Sequence, residues 1–444
     1  MRAAVRILFL GVGFTACFAL GFLAHRDGRL TTILRGIAKP SVEAMRDPAP
    51  KRPPGEWLPV RNRVTGPSDD DREMLASIGY TGATSTAPAQ SGVTVNVAER
   101  TQPGLNLYIS GHAPEAVLMD MNGRVRHRWM YDFAELWPGY EPPDYVRITG
   151  HQYWRRVHAF PNGDLIALHE GIGLIKLDRN SKLLWKRRDN FHHDFAVTLD
   201  GQIYALNRTM RPVSTAPNEE PFVMEPILSI LNADGGELRR VPLIPCFENS
   251  SYAPLLSRMS TSGDLFHENT IQVFDGSLAA RSPLFAAGNV LISVWTLDTI
   301  AIVNPDEQRV LWAMTGLWHR QHESSLLPNG NMVVFDNRGN RGASRILEFD
   351  PFSQLIVWSY APSNPGEFHS EWCGGLQRLM NRNTLVTETN KGRAFELTPA
   401  GEIVWEFVNP NQIESNGTTL ISSLWEVTRL PEDFGADWLA HADE

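Results

Sequence analysis

Histidines open three successive repeats of this sequence in the same phase relative to a tight turn. His322 lies eight residues before the turn glycine Gly330, and His193 lies eight residues before Gly201. His267 opens the corresponding segment of the repeat between them, which carries an insertion. A lone histidine at the start of a strand is usually a satisfied polar residue, but three in one phase predict a shared site. Imidazoles can serve there as nucleophiles, as acids and bases, or as metal ligands.

Other polar and aromatic residues share that end of the predicted strands. Arg155 lies eight residues before the turn glycine of its own repeat. Seven residues after each turn, the returning strand reaches the same end again, at Glu170, Arg208, Trp295, Asn337 and Thr389. A funnel lined by His, Arg, Asn and Trp, with few carboxylates near its centre, is typical of a site for an anionic, aromatic ligand.

A metal ion is the main alternative use for three histidines from neighbouring repeats. The sequence has no local His-x-His or carboxylate ligand pattern, so we predict no metal ligands and no cofactor. Phosphate-binding glycine loops and the Gly-x-Ser-x-Gly elbow of hydrolases are also missing from the sequence.

The repeats that carry these residues predict an all-β, six-bladed β-propeller. The most regular repeat, 318–358, contains four short apolar runs, and its Asn329-Gly330 pair predicts a type I′ hairpin turn. Tryptophans end apolar runs at positions 312, 358 and 405, a spacing that fits one propeller blade. A β-sandwich is the competing all-β fold, and this regular spacing disfavours it.

Strands from the two chain ends are expected to close the ring. The first repeat is short on its N-terminal side, and residues 422–430 form a spare apolar strand near the C-terminus. Combining them in one blade would remove two exposed sheet edges. We therefore assign residues 96–431 to the propeller and 432–444 to a C-terminal tail.

The N-terminal segment predicts an exported, membrane-anchored protein. Residues 7–24 are an uncharged apolar run behind Arg2 and Arg6, just long enough to span a bilayer. The run ends without a small-x-small cleavage site, so we predict an uncleaved signal anchor over 1–24 rather than a cleaved signal peptide. Residues 25–95, rich in Pro, Arg, Ser and Thr, are predicted to be a stalk with one short helix capped by Ser68.

Charge and cysteine content narrow the classes of partner. The net charge is −9, and no basic run is interleaved with aromatic residues, so no nucleic-acid partner is expected. The sequence does not decide whether the protein forms a homodimer.

Cys17 lies in the apolar N-terminal run, which leaves Cys246–Cys373 as the one internal disulfide that could form. Two free thiols are the preferred interpretation.

At these residues the sequence resembles the bacterial arylsulfotransferase (arylsulfate sulfotransferase) family, over about residues 100–430. The resemblance rests on four motifs, each weakly specific alone and specific together. They are His193-Asp194 ahead of a turn, Asp264-x-x-His267-x-Asn269, Leu-Ile-Ser-Val-x-x-Leu-Asp at 291–298, and Gln321-His322 followed by Leu-Pro-Asn-Gly-Asn and Phe-Asp-Asn.

The resemblance implies an exported six-bladed propeller that moves a sulfuryl group from a phenolic sulfate to a phenol without a nucleotide donor. Its partners would be a small aryl sulfate donor and a phenolic acceptor. His322 would be the nucleophile that is transiently sulfated, with His193 and His267 as supporting histidines and Asn269 beside the latter. Neighbouring imidazoles would protonate the leaving phenolate, and cations would stabilise the sulfuryl oxygens.

One position departs from the family pattern. Members usually carry an arginine where this chain has Trp295, and an indole cannot supply that charge. We expect Arg208 to compensate as a catalytic cation, with Arg155 as the second candidate. Arg155, Trp295, Asn337 and Asn269 are the predicted substrate-binding residues. The alternative is a non-catalytic propeller that binds aryl or anionic ligands or a protein partner. The family's disulfide has no counterpart near these residues.

Overall fold

The computed structural model describes residues 57–59, 91–140, 153–212, 222–337, 343–364, 366–415 and 418–439. The predicted anchor over 1–24 and the predicted helix capped by Ser68 lie outside these residues. No helix within the described ranges is long and apolar enough to cross a membrane.

Six mainly antiparallel sheets of four or five strands form the blades of the described fold, which confirms the predicted six-bladed propeller, and a seventh sheet has three strands. The strands, in chain order, are β1 (Trp57–Pro59), β2 (Gly92–Asn96), β3 (Leu105–Ser110), β4 (Glu115–Met119), β5 (Val125–Met130), β6 (Arg156–Ala159), β7 (Leu165–His169), β8 (Gly173–Leu177), β9 (Leu183–Arg188), β10 (Phe191–Val197), β11 (Ile203–Pro212), β12 (Phe222–Leu231), β13 (Glu237–Pro242), β14 (Gly263–Asp264), β15 (Glu268–Val273), β16 (Val290–Val294), β17 (Thr299–Asn304), β18 (Arg309–Thr315), β19 (His322–Leu326), β20 (Met332–Asp336), β21 (Arg345–Phe349), β22 (Ile356–Tyr360), β23 (Gly375–Arg378), β24 (Thr384–Glu388), β25 (Arg393–Leu397), β26 (Ile403–Val408), β27 (Gln412–Ser415), β28 (Thr418–Ser422) and β29 (Leu424–Leu430).

Among the described residues, helices are few and short. The α-helices are α1 (Phe133–Leu136), α2 (Leu243–Glu248) and α3 (Ala436–Leu439), and the 3₁₀ turns are Ala253–Arg258, Pro283–Phe285 and Thr389–Lys391. Five blades are the consecutive strand sets β6–β9, β10–β13, β15–β18, β19–β22 and β23–β26, and the remaining blade has the order β29-β3-β4-β5. Each set is a meander of neighbouring strands, the arrangement that short turns and local pairing favour.

Both chain ends take part in ring closure. The C-terminal β29 pairs with β3 and completes the first blade, as the spare strand predicted. The N-terminal β2 pairs with β26 as a fifth, outer strand of the last blade. The propeller therefore begins before residue 96, and β1, inside the predicted stalk, pairs with β28. Trp438 of α3 packs in a core cluster with Trp129, so the predicted C-terminal tail contributes to the core.

The hairpin turns differ from the predicted type I′. In the turn between β19 and β20, the Gly330 N–H donates to the carbonyl of Leu327, and the Leu327 N–H donates to the carbonyl of Asn331. Gly330 has φ +81°, while Asn329 is not among the positive-φ residues. This is a three-residue loop, a type I turn followed by one left-handed residue, and a type I′ turn would need positive φ at both central positions. The extra residue forms a bulge and increases the twist of the hairpin.

The core lies between the blades. The second and third strands of most blades are buried along their length, as in β7, β16, β17 and β20. Strands covered on both faces need continuous apolar runs rather than alternation. The innermost strands are β6, β10, β15, β19, β23 and β29. They position the candidate site, and β10, β15 and β19 carry buried polar residues such as His192, Glu268 and His322.

Candidate active site

Local backbone irregularities turn the predicted histidines toward one another. His193 and His267 have left-handed backbones, with φ of +55° and +51°, a conformation that costs free energy for residues other than glycine. The register of β10 against β11 shifts between Phe191 and Phe195, and this bulge surrounds His193. The rings of His193 and His267, from neighbouring blades, lie edge to face with centroids 4.7 Å apart.

His322 is held in one tautomer by Asn337. The two N–H groups of the Asn337 amide donate to the carbonyls of Ser370, at 2.8 Å, and Cys373, at 2.5 Å. Its oxygen therefore faces His322 Nδ1, at 2.8 Å, and can only accept a hydrogen bond. The proton must sit on Nδ1, which leaves the lone pair of His322 on Nε2. Nε2 is therefore the nitrogen through which a neutral ring could react.

The backbone on either side of His322 is also fixed. Gln321 is fully buried, and its side-chain amide donates to Ser293 Oγ at 3.0 Å and to the carbonyls of Val294 and Thr299. The carbonyl of Gln321 accepts from the Asn269 amide at 2.9 Å. Asn269, predicted to bind substrate, is thus placed where it ties β15 to the start of β19.

Burial keeps His322 neutral. It lowers the pKa of His322 to about 3, although the hydrogen bond that His322 donates to Asn337 opposes the shift, and the positive charge of nearby Arg155 lowers the pKa further. Burial also lowers the pKa of His193 well below its ordinary value, with His267 and His192 contributing. At neutral pH these imidazoles are bases and nucleophiles rather than cations.

His267 is oriented by an aspartate. Asp264, in the short strand β14, accepts the backbone N–H of His267 at 2.9 Å and lies 3.0 Å from its Nδ1. Although burial opposes it, His267 lowers the pKa of Asp264, so that carboxylate is an anion. The pair resembles the orienting half of a catalytic triad, in which a carboxylate stabilises a proton on the imidazole.

A second buried histidine, which the sequence analysis missed, stands behind His193. His192 Nδ1 lies 2.9 Å from His193 Nδ1, and His192 Nε2 lies 3.1 Å from Glu268 Oε1. Adjacent residues of a regular strand point to opposite faces, so only the bulge in β10 lets these two rings meet. The doubled histidine at 192–193 is the one signal for this arrangement that the sequence offered.

The predicted scarcity of carboxylates near the centre is wrong. Arg156, from β6, forms ion pairs with Asp194, Glu323 and Glu426, at 2.5, 2.9 and 2.7 Å. We call these four residues the Arg156 cluster. A buried guanidinium requires anionic partners, and the inner strands supply them from three other blades.

The two arginines predicted to supply positive charge have different surroundings. Arg208 lies 3.7 Å from Glu170 and 3.4 Å from Asp264. Arg155 is buried, its guanidinium donates to Cys373 Sγ at 3.3 Å, and its Cζ lies 4.5 Å from the centre of the Trp425 ring. Arg155 thus contacts a thiol and an indole, although the charge of Glu170 also acts on it, whereas Arg208 lies beside two carboxylates.

Trp295 carries a cation on its face. The guanidinium of Arg320 lies 4.0 Å from the Trp295 ring centre, a cation–π contact, and Arg320 was not among the predicted site residues. The rings of His267 and Trp372 lie 5.1 and 6.3 Å from that of Trp295, the latter nearly parallel. Trp295 therefore forms part of an aromatic wall beside His267.

One group of described side chains has the spacing that a metal ion would require. Ligand atoms of Glu170, His192 and His193 lie within 4.8 Å of one another. The 2.9 Å contact between the two Nδ1 atoms is already satisfied by a hydrogen bond, and a metal ion would have to displace that proton. Cys246 and Cys373 are free thiols.

Comparison with known proteins identifies the family. A family model described as arylsulfotransferase (ASST) matches residues 156–410, more than half of the chain. No curated protein sequence matches. Solved structures similar to this chain include a protein of unknown function from Bacteroides caccae, with 12% identity, 69% of this chain and 94% of that chain covered, and a TM-score of 0.46. A streptogramin B lyase has 11% identity, with 77% of this chain and 93% of that chain covered and a TM-score of 0.42. The WD40 propeller domain of Doa1 has 10% identity, with 77% of this chain and 92% of that chain covered and a TM-score of 0.41. The chain belongs to the arylsulfotransferase family.

Proposed function

We propose that the protein is an aryl sulfotransferase that moves a sulfuryl group from a phenolic sulfate ester to a phenolic acceptor through a sulfohistidine on His322, with no nucleotide donor. The observation that carries the proposal is the His322–Asn337 hydrogen bond of 2.8 Å, which leaves the lone pair of a neutral imidazole on Nε2. Family membership supports transferase chemistry of this class.

The first step forms a bond from His322 Nε2 to sulfur and breaks the bond from sulfur to the aryl oxygen. The departing oxygen takes a proton from His267, or from His193 as the other nitrogen of that ring gains one, and leaves as a phenol. In the second step an acceptor phenol returns a proton to the same imidazole as its oxygen attacks the sulfur, and His322 is released unchanged. Neither step needs a metal ion or a cofactor.

Positive charge for the sulfuryl oxygens would come from Arg155, whose charge already reaches His322 and His193. Arg208, which the sequence analysis named as the first candidate for the catalytic cation, would act together with the carboxylates of Glu170 and Asp264 beside it. Trp295 and Trp372 would bind the aryl ring by stacking. Asn269 would act through the backbone of Gln321 rather than by touching substrate.

A non-catalytic propeller that binds aryl or anionic ligands is the second candidate. It is favoured by one observation, Trp295 at the position of the family arginine. A binding protein would retain affinity for aryl sulfates without turnover.

The test is transfer from 4-nitrophenyl sulfate to phenol. We expect nitrophenolate release that depends on the acceptor, and a mass increase of one sulfuryl group on His322 when the acceptor is omitted. His322→Ala should abolish both, while His158→Ala, a histidine on β6, should retain both. Binding of the donor without release would favour the second candidate, and release that needs no acceptor would indicate a sulfatase.

We also propose that residues 1–24 anchor the chain in a membrane with the propeller on the extracytoplasmic side, periplasmic in a bacterium. The uncharged run 7–24 supports this proposal. Protease added to intact spheroplasts should digest the propeller, and carbonate washing should leave it in the membrane fraction. A cytoplasmic, readily extracted protein would contradict both parts.

A further inference from the structure

We propose that Glu268 and His192 form a buried proton relay behind His193. The relay supplies the proton that the leaving phenolate takes in the first step and recovers a proton from the acceptor phenol in the second. The inference rests on the proposed function and adds two residues to its machinery. Its basis is one continuous line of hydrogen bonds, from Glu268 Oε1 to His192 Nε2 at 3.1 Å and from His192 Nδ1 to His193 Nδ1 at 2.9 Å.

The relay runs from a sealed interior to the site. The side chains of Glu268 and His192 are each 1% exposed, whereas that of His193 is 11% exposed and packs against His267. With Nδ1 of His193 turned to His192, Nε2 is the nitrogen on the far side of the ring. His193 is therefore the member of the line that can meet a substrate oxygen.

The protonation of the line follows from its burial. Burial, and next the charge of Asp264, raise the pKa of Glu268 well above its ordinary value and so favour the protonated carboxyl group. Burial lowers the pKa of His192 to about 3, so that ring is neutral. Two neutral arrangements of this line exist, because a protonated carboxyl group can either donate or accept, and one of them presents a proton to the site. In that arrangement Glu268 donates to His192 Nε2, His192 Nδ1–H donates to His193 Nδ1, and His193 carries its proton on Nε2.

Proton transfer along this line balances in both steps. When the donor phenolate leaves, it takes the proton from His193 Nε2, His193 Nδ1 takes the proton from His192, and His192 Nε2 takes the proton from Glu268. Glu268 is left as a carboxylate. When the acceptor phenol attacks, each proton moves back by one position and Glu268 is protonated again. Neither His192 nor His193 becomes an imidazolium at any stage, which suits rings that burial keeps neutral.

The leaving group provides the test, because a weakly basic phenolate departs without a proton and a strongly basic one does not. We would measure formation of sulfated His322 in single turnovers from phenyl sulfate and from 4-nitrophenyl sulfate. For Glu268→Gln, which keeps the shape of the carboxyl group but cannot pass a proton, the rate with phenyl sulfate should fall about 10²-fold or more. The rate with 4-nitrophenyl sulfate should fall by no more than about threefold.

His192→Gln should also lower the rate with phenyl sulfate much more than the rate with 4-nitrophenyl sulfate. This variant can replace Glu268→Gln in the test if Glu268→Gln does not fold. The matched control is Glu388→Gln, a buried and ion-paired glutamate of β24 outside the site, which should change the two rates by one common factor. Equal losses from both donors, or no loss, in Glu268→Gln and His192→Gln would overturn the relay. Stoichiometric metal in the purified protein would also overturn it, because the metal would occupy the Nδ1 lone pairs. Wild-type protein that forms no sulfohistidine from either donor would instead remove the proposed function itself.

Discussion

Two adjacent layers of the propeller centre are built from consecutive residues of the same inner strands, and they have opposite character. The consecutive pairs are Arg155 and Arg156, His193 and Asp194, and His322 and Glu323. The first member of each pair lies in the candidate site. The second belongs to the Arg156 cluster, where one guanidinium contacts three carboxylates from other blades.

The difference shows how one set of strands can serve both stability and chemistry. In the Arg156 cluster each charge has opposite charges beside it, and the cluster connects blades that are distant in sequence. In the site, burial lowers the pKa values of His193 and His322, so both rings are neutral at pH 7. The cluster fixes the strands on which the reactive groups stand, and such rigidity is what a preorganised site requires.

The largest effect should come from the site layer. Replacing His322 with Gln removes the proposed nucleophile while keeping a polar side chain for Asn337, so kcat/KM for sulfuryl transfer should fall by at least about 10³-fold. The urea midpoint should stay close to that of the wild type. A variant that kept its activity would show that another group carries the sulfuryl intermediate.

Substitutions in the Arg156 cluster should change the free energy of unfolding more than the rate of transfer. Arg156→Met leaves three buried carboxylates uncompensated, so the free energy of unfolding should drop by about 3–5 kcal/mol. Arg155→Met is the matched control one residue away. It should lower kcat/KM by about 10²-fold and cost much less stability, because its guanidinium contacts a thiol and an indole. Urea unfolding and transfer kinetics on both variants separate the two layers, and similar losses of stability would contradict the division.

A smaller effect should follow from changing the group that orients His322. Asn337→Leu should lower kcat about 10- to 100-fold, since the ring is no longer held in one tautomer. Asn337→Asp places a negative charge against Nδ1 and should raise the pKa of His322 from its value of about 3. Because the neutral ring is the nucleophile, the acid limb of the kcat/KM profile should move to higher pH. An unmoved limb in Asn337→Asp would mean that His322 does not govern it.

Much of the scaffold could be predicted because it depends on local signals. Turn glycines and the tryptophans ending apolar runs set the repeat length, and the spare strand at 422–430 predicted the ring closure that β29 provides. Counting from the turns also put His322 and Asn337 at one end of their strands, and they form a hydrogen bond. Hairpin register is exact enough for this counting to work.

The parts that could not be predicted depend on irregular backbone and on partners distant in sequence. A bulge in β10 turns His192 toward His193, and nothing in regular strand alternation anticipates it. Arg320 reaches Trp295 from a left-handed residue, φ +54°, ahead of β19. The carboxylates of the Arg156 cluster come from separate blades, so neither charge counts nor local spacing could assign them to the centre.

The smallest predicted effect concerns Glu323 and sharpens the account of the cluster layer. Burial raises the pKa of Glu323 to about 7, although Arg156 opposes the shift, while Asp194 and Glu426 add to it. The folded protein therefore holds a proton at Glu323 between pH 4.5 and 7, where the unfolded chain has lost it. Its contribution to stability is greatest below pH 4.5 and declines as the pH rises through that window.

Glu323→Gln keeps the shape of the side chain and removes this proton. The stability of the variant relative to the wild type should improve by about 1–3 kcal/mol between pH 5 and pH 8. Urea unfolding at the two pH values measures the change, with Glu307→Gln, a surface glutamate paired with Arg309, as the control that should show no such trend. If the two proteins had parallel pH dependences, Glu323 would be ionised throughout, and the cluster would carry three full negative charges around one guanidinium. The candidate site beside the cluster would then lie in a more negative electrostatic field, which would disfavour binding of an anionic donor. Binding would then depend more strongly on the positive charge of Arg155.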